Sequence, residues 1–178
     1  MNLNELGSKQ LMRILEVFLE TPSKDWEQAR LRDSLKFSKT TIIKWVNFLL
    51  KEQIIKEKRI GRIKIMHLNN ESTIVKEIKR FSIILKLDKL KKIASETRTR
   101  IYLYGSCARG EYYEDSDVDL LIIGAVKRAD IIGAIKKVED ELKRKINFQI
   151  FTNIEWSNMR IKDKPFYERT EKDKVALE

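Results

Sequence analysis

Two aspartates one residue apart, Asp117 and Asp119, open an apolar run that continues Leu120-Leu121-Ile122-Ile123. In an extended chain residues two apart share a face, so both carboxylates point one way and Leu120 and Ile122 the other. Like charges held that close repel unless a cation sits between them. Carboxylate oxygens suit Mg²⁺ or Mn²⁺, and Mg²⁺ takes its remaining ligands from phosphate and water. Upstream, the β-favouring run Ile101-Tyr102-Leu103-Tyr104 leads into Gly105-Ser106. A turn of that composition lets backbone N–H groups approach a phosphate closely. Together these parts describe a metal–triphosphate site. Cys107 sits inside the turn, and nothing nearby in sequence would activate it as a nucleophile.

Gly105-Ser106, ten intervening residues, then Asp117-Val118-Asp119 resembles the nucleotidyltransferase superfamily of DNA polymerase beta in its minimal form. The likeness covers residues 98–152, and the surrounding Cys107-Ala108-Arg109-Gly110-Glu111 and Ser116-Asp117-Val118-Asp119-Leu120-Leu121 belong to it. Some minimal members act as antitoxins. The resemblance implies a mixed sheet with flanking helices, an α/β (α+β) fold. It also implies that Gly105 and Ser106 hold the β- and γ-phosphates, while Asp117 and Asp119 bind the divalent metal and serve catalysis. Arg109 either adds charge to the phosphate pocket or forms a surface salt bridge. Active members draw a third carboxylate from the strand matching residues 146–151, where this chain has the neutral amides Asn147 and Gln149. An amide oxygen ligates weakly and cannot accept the proton of an attacking hydroxyl. Transfer is then slow, lost, or rescued by another acid; Glu155 is close in sequence but begins the next helix.

The elements that must position these groups follow from periodicity. A helix over residues 129–145 turns Ile131, Ile135, Val138 and Leu142 toward the sheet. The tail supplies Trp156, Met159, Phe166 and Tyr167 for packing, and Pro165 ends any helix before it. At the other end of the chain, Ser8 caps a helix whose Leu11, Ile14, Leu15, Phe18 and Leu19 form one apolar face. Thr21-Pro22-Ser23 stops it. A second helix is expected over residues 26–35 and a third from the Ser38 cap through Lys51. Residues 54–58 and 63–68 alternate like strands around Arg59-Ile60-Gly61-Arg62, a hairpin with a basic tip. Trp26 and Trp45 read as packing residues, and His67 as an ordinary strand residue.

Three helices followed by a basic hairpin resemble the winged helix-turn-helix family, with the likeness carried by residues 35–68. The exposed face of the third helix presents Lys39, Thr40, Thr41, Lys44 and Asn47, side chains that can donate to phosphates and base edges. The resemblance implies that this helix enters the DNA major groove and that Arg59 and Arg62 lie against the backbone or minor groove. Gln53 stands where a glycine usually ends such a helix.

Charge separates the two halves. The 178 residues carry a net +10, and all of it is local: residues 1–70 hold 14 basic and 8 acidic side chains, residues 71–98 hold 8 and 4. Residues 99–178 hold 15 of each, which cancel. The asymmetry favours a polyanion such as DNA as partner of the N-terminal half. The expected organisation is a DNA-binding domain over 1–70, a helical connector over 71–97 and a nucleotidyltransferase-like domain over 98–178. The connector has more than one apolar stripe, among them Ile74, Ile78, Phe81 and Leu85. It must pack on its neighbours or on a second copy of the chain, a homodimer. No run of about 18 apolar residues would span a membrane, and no secretory stretch opens the chain. With one cysteine and one histidine, an internal disulfide and a Cys/His zinc site are excluded. The expected place is the cytoplasm. Three functions fit: a Mg²⁺-dependent nucleotidyltransferase with a DNA-binding module, a transcription regulator whose transferase-like domain only senses nucleotide, and an antitoxin-like partner of a separate toxin.

Overall fold

Three leucines, an isoleucine and a phenylalanine at helical spacing demand a helix with one buried face, and all five are buried in α1 (Lys9–Glu20). Ser8 caps it by accepting the Leu11 N–H. This is seen in a computed structural model of the chain, which describes residues 7–61 and 63–177. The chain divides into two units, Met1–Lys76 and Glu77–Glu178.

The first unit continues through β1 (Trp26–Glu27), α2 (Gln28–Leu35), α3 (Lys39–Lys51), β2 (Ile55–Ile60) and β3 (Ile63–Leu68). Its sheet runs β1-β3-β2, antiparallel throughout. The helix expected from Trp26 begins two residues later. Trp26 instead pairs with Met66, and its indole N–H donates to the Thr21 hydroxyl at 2.9 Å, so a strand both buries the ring and satisfies its polar atom. Strand β2 runs past the expected Lys58 and takes in Arg59, which pairs with Lys64. Gly61 follows it at φ +59; Arg62, expected at the basic tip, lies outside the described residues.

Helix α3 ends without glycine yet in glycine's geometry. Gln53 adopts φ +57; its N–H donates to Leu50 O, and the Ile54 N–H reaches back to Leu49 O. That is the paired Schellman arrangement, with Ile54 and Leu49 both buried beside it. The Asn69 amide donates to Gln53 O at 2.8 Å and holds the turn from outside.

Helix α4 (Thr73–Lys86) carries the division between units, and α5 (Lys89–Thr97) follows. Next come β4 (Arg100–Tyr104), the single turn α6 (Gly105–Ala108), β5 (Val118–Ile123), α7 (Arg128–Leu142) and β6 (Ile146–Phe151). The chain closes with α8 (Asn153–Lys162), α9 (Lys164–Asp173) and β7 (Val175–Ala176). The sheet order is β6-β5-β4-β7, with β5 and β6 parallel and the other pairs antiparallel. This is a mixed sheet with helices on it. Alternation sends Leu120, Ile122 and Phe148 into a core with Ile83, Leu87, Leu90, Ile131, Ile135 and Val138. The opposite face carries Tyr102, Leu121 and Ile123 under Trp156, Met159, Phe166 and Tyr167. Helix α7 stops three residues short of Lys145, because Lys143 takes a left-handed φ of +52. Among the described residues no helix is long and apolar enough to cross a membrane.

Candidate active site

Strand β4 delivers Gly105, which turns the chain into α6 at φ +74. A Cβ at this position would lie 2.7 Å from Asp119 Oδ2. Only glycine lets the turn close onto that carboxylate. Register sets Asp119 opposite Tyr104 on β4 and opposite Asn147 on β6, so the three side chains line up on one face across three strands. Asp117, one residue before β5, joins them: Asn147 Nδ2 donates to its Oδ2 at 2.8 Å. The same amide bonds Asp119.

Burial holds the Asp119 carboxyl above its ordinary range; the Asn147 bond opposes this, and the charge on Asp117 adds to it. Tyr104, also raised by burial and then by Asp119, is bonded to Gln149. Lys145 Nζ stands 3.9 Å from Asp117 Oδ2, an exposed pair of small energetic weight. Among the described residues no group of three or more His, Cys, Asp or Glu converges on one point. Two carboxylates on one face suit a Mg²⁺ that keeps waters and completes its shell with substrate phosphates, so the residues present fit that ion.

Arg109, Cys107 and Glu155 make other contacts. The Arg109 guanidinium donates to Glu111 Oε2 at 2.8 Å and to Asp173 Oδ2 at 2.6 Å, which is the salt-bridge arrangement. Cys107 is buried, its Sγ 3.4 Å from Asp117 O, and burial pushes its thiol up to about 11. A thiol so placed is no nucleophile at neutral pH. Glu155 is the third residue of α8, and bonds from the Thr152 backbone and side chain hold its carboxyl below the ordinary range. It serves the helix cap, not the aspartates.

In the first unit Lys39, Thr40, Lys44 and Asn47 are exposed along α3, while Thr41 is half-buried. The Ser38 hydroxyl ties to those of Thr40 and Thr41 at 3.0 and 2.8 Å. Lys44 Nζ lies 4.5 Å above the buried Trp45 ring. Arg59 is exposed, its Nε 3.6 Å from Glu57 Oε1.

Sequence reasoning passed over Tyr104, Lys145 and the donor role of Asn147. Their only local signals were position: Tyr104 directly before the glycine, Lys145 two residues before Asn147.

The model of the nucleotidyltransferase domain family matches residues 86–176. A Methanocaldococcus jannaschii protein named "putative protein adenylyltransferase" is 36% identical over 31% of this chain and 69% of its own length. A crystal structure of a "putative nucleotidyltransferase" from Sulfolobus solfataricus aligns over 57% of this chain and 85% of its own, at 19% identity and a TM-score of 0.34.

Proposed function

Because the chain belongs to the nucleotidyltransferase domain family, we propose that residues 77–178 bind a metal–nucleoside triphosphate and transfer a nucleoside monophosphate to a hydroxyl acceptor. The closure of Gly105 onto Asp119, with Asp117 alongside, carries this reading. Asp117 and Asp119 would hold Mg²⁺ or Mn²⁺, which when bound offsets phosphate charge and polarises the phosphorus under attack. Backbone N–H groups at Gly105-Ser106 and the Ser106 hydroxyl take the β- and γ-phosphate oxygens. The acceptor oxygen attacks the α-phosphorus, the bond to the α–β bridging oxygen breaks, and pyrophosphate leaves. Asn147 cannot take the hydroxyl proton, which goes to solvent or to a base on the acceptor. The name of the Methanocaldococcus relative favours a protein hydroxyl as acceptor.

Incubation with α-labelled ATP and a cell extract tests the proposal. Mg²⁺-dependent label on a protein, lost in Asp119→Asn, is expected; no label on any cellular acceptor would overturn transfer. The amide at Asn147 favours a second reading, in which nucleotide binds without turnover. Asn147→Asp separates the two, since a variant that gains at least tenfold in labelling places the deficit at that side chain.

The first unit we assign as a winged helix-turn-helix that binds DNA. Support comes from its order of helices and hairpin, its three-stranded sheet, and the exposed Lys39, Lys44, Asn47 and Arg59. The readings this arrangement leaves open are a cytoplasmic DNA-binding transferase, a nucleotide-sensing transcription regulator and a toxin-paired antitoxin. Phe81 and Leu85, 60% and 58% exposed on α4, suit the homodimer through residues 71–97.

A further inference from the structure

Lys79 is 1% exposed, and a lysine that deep in a fold is rare unless its ammonium is paired. Its Nζ donates to Tyr112 O at 2.6 Å, and the Tyr112 hydroxyl donates back to Lys79 O at 3.2 Å. The two residues lie 33 apart in the chain. Arg144 approaches the same segment from just beyond α7, its Nη1 donating to Tyr113 O at 2.6 Å and to Ser116 O at 3.2 Å. The Tyr112 ring, 3% exposed, has both cations close to it, its centroid 4.7 Å from Lys79 Nζ and 4.9 Å from Arg144 Cζ. Three carbonyls among the five residues immediately before Asp117 are thus held by charged donors, which make stronger bonds than neutral ones. The Ser116 hydroxyl, accepting the Tyr113 N–H at 2.8 Å, closes the loop on itself.

We propose that Lys79 and Arg144 are positioning residues of the nucleotide site, fixing the loop of residues 111–116 so that Asp117 meets Asp119 and Asn147 on one face. Neither cation touches the aspartates in this role; each acts through the loop backbone. A flexible loop would present Asp117 over a range of positions, and a metal–triphosphate tolerates little misplacement of a ligand. Lys79 sits on the helix that leads in from the first unit, so the residue aligning Asp117 belongs to the segment preceding this domain's sheet. The inference rests on the nucleotide-binding reading above.

The experiment compares wild type with Lys79→Met, Lys79→Arg, Arg144→Met and Ile131→Ala, the last a buried core control at the far end of α7. Two quantities are measured on folded protein: affinity for Mn²⁺–ATP, and amide hydrogen exchange over residues 111–117. Lys79→Met and Arg144→Met are expected to weaken Mn²⁺–ATP at least tenfold and to speed exchange in that segment, with Lys79→Arg recovering part of both. Ile131→Ala is expected to lower thermal stability while leaving affinity and loop exchange as in wild type. Affinity losses in Lys79→Met no larger than in Ile131→Ala, or unchanged loop exchange, would overturn the proposal. Wild type that fails to bind Mn²⁺–ATP overturns the nucleotide reading instead, and the exchange data still decide whether the two cations hold the loop.

Discussion

The fold makes the carboxyl of Asp119 harder to ionise than it is in the unfolded chain. A carboxyl raised in this way contributes stability when protonated, and that contribution is lost as pH rises from the unfolded value through the folded one. At neutral pH the ionised group therefore costs the folded chain stability. Asp119→Asn removes it. The variant should melt at higher temperature than wild type at pH 7, the gap closing below about pH 4, where both side chains are uncharged. Circular dichroism melts at the two pH values check this, and equal melting temperatures at pH 7 would contradict it. The aspartate pair itself was legible in the sequence, because residues two apart in a strand must share a face. The constraint on Gly105 was not: it arises from Asp119, fourteen residues later, and only register brings the two together. Asn147 was legible as a missing acid, but not as a donor to Asp117.

Helices announced themselves through their apolar faces, and their ends did not. Lys36, Gln53, Arg98 and Lys143 all take left-handed φ at the close of helices, where a reader of sequence looks for glycine. In a chain with 6 glycines, long polar side chains fill those positions instead. A left-handed non-glycine residue costs about 1–2 kcal/mol, against which glycine loses some backbone entropy. Gln53→Gly should therefore stabilise the first unit by about 0.5–1 kcal/mol, since it keeps the backbone bonds of Gln53 with Leu50 and Asn69 and gives up only the exposed bond from Gln53 Nε2 to Leu50 O. A higher urea midpoint with unchanged slope is the expected result. Strands β1 and β7 escaped notice for a different reason. Each has two residues, too few to show any period, and each exists because a neighbouring strand offers it a ladder.

Along the molecule as a whole, the positive excess ends near residue 98, inside the second unit, which begins at Glu77. The residues after 98 carry equal numbers of acids and bases, so the net +10 belongs to what precedes them. If that excess meets DNA, binding must weaken linearly with salt on logarithmic axes, the slope counting phosphate contacts. Lys44→Ala should lower the magnitude of that slope by about 1 in a fluorescence titration with duplex DNA. A slope identical to wild type would remove Lys44 from the interface. The mixed sheet carries one more implication. Strand β4, which leads into Gly105, is flanked on one side by β7, pairing Tyr102 with Ala176 and Leu103 with Val175, while the Leu177 N–H donates to Ile101 O at 2.9 Å. During synthesis that side of β4 stays bare until residues 175–177 have been made. The strand leading to Gly105 thus gains its second neighbour well after its own residues are made, and a nascent chain stalled before Val175 offers its neighbours an open strand edge.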